Sequence, residues 1–103
     1  MKEPEKEDIE TLGELISELL LMELAIQNHV EKGENEVIER KLIEFKNTYS
    51  QIGSIITNNV KDFSKKISIP IPTLGTVTFN CAMEEYENVV TRIEQIVSLK
   101  RKT

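Results

Sequence analysis

The sequence predicts an all-α fold: an antiparallel three-helix bundle with a short β-hairpin or extended flap between helices 2 and 3, assembled into an oligomer. Three observations lead there. Apolar residues recur at three- and four-residue steps over three long stretches. Apolar and charged residues make up 39% and 30% of the chain, while four glycines and three prolines are too few for a turn-rich all-β domain. Finally, 103 residues suffice for one hydrophobic core and not for two, so residues 1–103 read as a single domain.

Helix 1 is predicted over about 4–32. Pro4 suits a first helical position, and acids crowd the first turns, as the helix dipole favours. Ile9, Leu12, Ile16, Leu19, Met22, Ile26 and Val30 mark one face. Thr11 and Glu14 also fit a capping box, which offers a later start at residue 11. Gly33 supplies the left-handed stop.

Helix 2 is predicted over about 35–65. Ile38, Leu42, Phe45, Tyr49, Ile52, Ile56, Val60 and Phe63 approach a heptad seam, a coiled-coil feature. Helix 3 is predicted over about 81–101, with Met83, Tyr86, Val90, Ile93 and Val97 on one face and Asn80 as its N-cap. The connector, 67–79, alternates Ile67, Ile69 and Ile71, then Val77 and Phe79, around Pro72 and Gly75, as a hairpin would. Pro70 and Pro72 confine any pairing there to an edge.

Helix 1 has more apolar residues than one stripe needs. Leu15, Leu20, Leu21, Leu24 and Ala25 widen its arc, and a helix apolar over most of its girth is normally surrounded. Two neighbours from the same chain would not cover it. A homo-oligomer, with a dimer favoured, is therefore expected, and Leu15, Leu20, Leu21 and Leu24 are its interface candidates.

Charge fits this architecture. Residues 1–44 carry a net −8 and residues 45–103 a net +3. An up-down-up bundle sets Lys100, Arg101 and Lys102 near Glu31, Glu34 and Glu36. At the other end it sets Lys61, Lys65 and Lys66 near Glu3, Glu5, Glu7 and Asp8. Each basic cluster then sits at a helix C-terminus.

Several function classes are excluded on composition. No apolar run approaches the 18 or so residues of a membrane span. The acidic start, residues 1–10, lacks the apolar core of a signal peptide. A lone Cys81 allows no internal disulfide and suits a reducing, cytoplasmic setting. An acidic chain, net −5, with five aromatics that do not interleave with its basic residues, is not built for nucleic acid.

Catalytic and metal chemistry also lack their residues. The residue three before His29 is Ile26, so the Glu-x-x-His pair of di-iron bundles is missing. One His and one Cys do not make a zinc site, and there is no Gly-rich phosphate loop. Cys81, expected in the first turn of helix 3 with Glu84 and Glu85 nearby, reads as a small buried apolar residue. No metal, no cofactor and no enzymatic activity are expected.

One short motif offers an alternative. The run His29-Val-Glu-Lys32-Gly33 is similar to the His-x-x-Lys-Gly pattern of histidine phosphotransfer domains, which are also helical bundles. That resemblance implies that His29 accepts a phosphoryl group, Lys32 helps hold it, and Gly33 leaves room for a response regulator. The family's helix continues past the glycine, whereas Gly33-Glu34-Asn35 predicts a helix end here, among acids that repel phosphate.

The reading that emerges is a non-enzymatic helical interaction protein, a small oligomeric scaffold or accessory subunit with a protein partner. A ligand-binding bundle, holding an apolar molecule between helix 1 and the flap, is a further alternative. Ile69, Ile71, Leu74 and Val77 are the partner or ligand candidates in the flap.

Overall fold

The computed structural model describes residues 5–63 and 66–102. Along the chain lie α1 (Lys6–Lys32), α2 (Asn35–Phe63), β1 (Ser68–Ile71), β2 (Gly75–Thr78) and α3 (Phe79–Lys102). Twenty-nine residues of α2, at about 1.5 Å each, set the long dimension of a molecule measuring 50 × 23 × 18 Å. Three helices and one hairpin are thus present in the predicted order.

Helix α1 passes through Thr11 and Glu14 without interruption, so the capping-box start at residue 11 does not occur. Its other end closes as expected. Gly33 (φ +71°) is left-handed, its N–H reaches the Val30 carbonyl at 3.1 Å, and the Glu34 N–H reaches that of His29 at 3.0 Å. These are the two bonds of a Schellman cap.

The core centres on α1. Leu12, Leu15, Ile16, Leu19 and Ile26 are buried against Phe45, Ile52 and Phe63 of α2 and Ala82, Val89, Ile93 and Ile96 of α3. Both α2 and α3 pack on α1, and β1 packs on it as well. Its wide apolar arc is therefore met on three sides from within the chain, where two neighbours were expected. Leu15 is buried in this core and Leu20 is half-buried, while Leu21 (55%) and Leu24 (60%) stay exposed.

The third side is the hairpin. β1 and β2 pair antiparallel, Ile69 opposite Val77 and Ile71 opposite Gly75. The Leu74 N–H bonds the Ile71 carbonyl at 3.0 Å, Pro72 takes the second turn position, and Gly75 (φ +80°) follows in the left-handed region. Strand β1 buries Ile69 and Ile71 completely and exposes Ser68 and Pro70. It lies so close to α1 that a Cβ at residue 13 would fall on the Pro70 carbonyl oxygen.

Two expectations for α3 are corrected. The helix begins at Phe79, not Cys81, and Asn80 lies inside it rather than capping it. Thr78, the last residue of β2, does the capping: its Oγ1 accepts the Cys81 N–H at 3.5 Å, and the chain passes from strand to helix without a loop. Cys81 is exposed, not buried, because the inward position of that turn belongs to its neighbour Ala82. Phe79 stacks on Phe63 with centroids 5.1 Å apart, closing this end of the bundle.

At the same end, Asn59 Nδ2 donates to Asp8 Oδ2 at 3.1 Å and ties α2 to α1. The charge pairing expected for Lys65 and Glu3, and for the Lys100, Arg101 and Lys102 side chains, lies outside the described residues.

Candidate functional site

The helical seam of α2 is used unevenly. Ile38, Phe45, Ile52 and Phe63 are buried and Leu42 and Ile56 half-buried, but Tyr49 (43%) and Val60 (54%) are exposed. The inward stripe is centred instead on Phe45, buried Thr48 and Ile52. A helix packed mainly on one neighbour buries one stripe and leaves its flank open. Here α1 takes the stripe, and the flank turns toward α3.

α3 shows the mirror pattern, with Val89, Ile93 and Ile96 buried and Tyr86, Val90 and Val97 half-buried. Because each helix leans on α1 more than on the other, a cleft of about 540 Å³ opens between them. Leu42, Phe45 and Tyr49 line one wall, and Val90, Ile93 and Val97 the other. Lys46 stands on the α2 rim, with Glu94 and Ser98 on the α3 rim. Neither Lys46 nor Glu94 forms an ion pair among the described residues.

Beside the cleft, Tyr49 and Tyr86 stack with centroids 5.7 Å apart and their planes 22° from parallel. Burial, then the hydrogen bond to Tyr49, push the Tyr86 hydroxyl well above the ordinary tyrosine value of about 10. The neutral form is thereby favoured in the folded state. An unfolded chain releases this proton first, so the contribution to stability is complete below about pH 10 and is lost as pH rises further. Tyr86→Phe is expected to flatten the fall in stability above pH 10, measured as urea midpoints along a pH series. An unchanged slope would contradict this.

Deeper in the bundle, the Glu23 carboxylate is buried (7% exposed) and accepts a hydrogen bond from Arg92 Nε, joining α1 to α3. The Glu23 contact is the main cause that raises the Arg92 guanidinium above its ordinary value. Neither residue was singled out by periodicity. The readable signal is Glu23 itself, which sits three residues before Ile26 and four after Leu19, on the apolar face. A carboxylate there requires a cation.

The flap residues divide. Ile69 and Ile71 belong to the core and are not available to a partner. Leu74, in the turn, is exposed, and Val77 is half-buried. The close approach of β1 to Gly13 fills the contact between α1 and the flap, where an apolar ligand was one alternative.

His29 is half-buried in the last turn of α1, with Nδ1 3.4 Å from Glu34 Oε1. The helix ends at Lys32, three residues later, and an acid occupies the space beside the imidazole.

Among the described residues, no group of three or more His, Cys, Asp or Glu is placed to hold a metal ion. Among those residues, no helix is long and apolar enough to cross a membrane. No protein-family model, curated protein or solved structure matches the chain.

Proposed function

We propose that this chain is a non-enzymatic helical interaction protein, a small cytoplasmic homo-oligomer that serves as a scaffold or accessory subunit through its helix faces. The observation that carries the reading is the open α2–α3 cleft. Two apolar helix flanks face each other there without closing, as in a bundle that lacks a member. The exposed Leu21 and Leu24 on α1 add a second apolar area on another face. Large apolar surface left open on a small chain is normally covered by another molecule.

Native mass spectrometry and sedimentation of the wild-type chain, from about 1 to 100 µM, test this reading across the range of modest interfaces. A dimer or small closed oligomer of apo chains is the expected result. A monomer at every concentration would overturn the homo-oligomer.

A second reading rests on the same cleft, whose volume lies within the 300–1,000 Å³ or so of small-molecule pockets. An apolar ligand there would appear as a fixed added mass on a monomer, which the same measurement distinguishes from assembly.

A further inference from the structure

We infer that the α2–α3 cleft is where a second copy of this chain docks, about a two-fold axis running along the cleft. The inference rests on the homo-oligomer reading above and specifies its face, its symmetry and its charge contacts.

Two apolar areas compete for the role, and charge separates them. α1, which carries Leu21 and Leu24, holds seven acids against two bases. Around those leucines Glu14, Glu18 and Glu31 are all exposed. A two-fold contact between two α1 helices crossing near Leu21 and Leu24 sets Glu14 of one copy toward Glu31 of the other, and like charges face each other. Docking α1 of one copy into the cleft of the next is a head-to-tail contact, which closes on itself only for special rotations and otherwise grows into filaments.

The cleft face has neither problem. The charged residues that line the cleft are one base, Lys46, and one acid, Glu94, so two such faces carry no net charge to repel. Lys46 and Glu94 line the same cleft from opposite walls. A two-fold axis along the cleft lays α2 of one copy antiparallel to α3 of the other at the same level. Lys46 of each copy then meets Glu94 of its partner, and the contact occurs twice. Leu42, Tyr49, Val90 and Val97 of both copies fill the middle, as neighbouring helices do in an antiparallel four-helix bundle. The two α1 helices lie outside, one on each flank.

Size sets the strength. The lining, Leu42 to Tyr49 on α2 and Val90 to Ser98 on α3, is about 12 Å long and two helices, or about 20 Å, wide. That lies well below the 800 Å² or so per partner of a standard interface, so a weak, reversible dimer is expected.

The test is a charge swap, read by sedimentation equilibrium from about 1 to 100 µM, a range chosen for an interface of this size. Both side chains are exposed, so the variants leave the core untouched, and thermal melts check that. Lys46→Glu and Glu94→Lys, singly, should each raise the dimer dissociation constant by about ten-fold or more, because two attractions become two repulsions. The double variant Lys46→Glu/Glu94→Lys should return to within about three-fold of wild type, since exposed pairs recover most of their small energy when inverted.

A wild-type dimer indifferent to either single change, or singles that the double does not rescue, would overturn this face and leave the homo-oligomer standing. Open-ended growth with concentration would overturn the two-fold arrangement. A wild-type monomer throughout would remove the homo-oligomer and this inference with it.

Discussion

Replacing Gly13 with alanine lowers the melting temperature by roughly 8–24 °C, the expected consequence of losing about 2–3 kcal/mol in a domain of this size. The sign is opposite to the usual one. Glycine inside a helix is about 1 kcal/mol worse than alanine, so the exchange should stabilise by that much. At residue 13 the new methyl would land on the carbonyl oxygen of Pro70, with Ile69 Cγ2 3.3 Å away. A backbone oxygen cannot swing aside as a long side chain does. β1 must lift from α1, and Ile69 and Ile71, both buried, lose part of their packing.

Gly53 is the internal control. A Cβ there meets nothing within 4 Å, so Gly53→Ala should raise the melting temperature by about 4–8 °C. The same substitution in two helices thus moves stability in opposite directions, as differential scanning calorimetry would show. A neutral or stabilising Gly13→Ala would mean that the hairpin does not lie on α1 in this way.

The second large effect belongs to Arg92→Met. The change keeps most of the stem's apolar contact but strands the Glu23 carboxylate, which is buried and loses its charged donor. Breaking a fully buried pair from one side costs about 3–5 kcal/mol. Arg92 is 41% exposed, so water screens part of this pair, and a loss of about 2 kcal/mol is expected. Urea denaturation should show a shifted midpoint with an unchanged slope. Adding Glu23→Leu should recover most of the loss, because two apolar side chains leave no stranded charge. A double variant as unstable as Arg92→Met alone would contradict this account.

Much of the fold was legible in the sequence, and the residues that carried it are those under direct packing. The three- and four-residue steps of Leu12, Ile16, Leu19 and Ile26 mark a stripe that is buried, and the alternation of Ile69 and Ile71 marks the inward side of β1. Gly33 announces the left-handed stop of α1, and Gly75 announces the hairpin, where it also proves left-handed. What periodicity could not supply is which neighbour covers each stripe. Tyr49 and Val60 fit the α2 seam as well as Phe45 and Ile52 do, yet they lie on the flank that α1 does not reach.

Gly13 carried a signal that the pattern leaves unread. A glycine between Leu12 and Leu15 in a strong helix weakens it unless something approaches closely, and that something is β1, more than fifty residues on. The start of α3 was missed by two residues because Thr78 belongs to a strand and caps a helix at once. The candidate site was the least legible part, since an open cleft is defined by the distance between two helices and no single residue encodes that distance.

α1 works as a spine, and α2 and α3 as two jaws hinged on it. The Tyr49–Tyr86 and Phe63–Phe79 stacks tie the jaws together along one part of their length, so the mouth opens only beyond the tyrosines, toward Leu42 and Val97. The polar groups an occupant meets at the lips of that mouth are Lys46, Glu94 and Ser98.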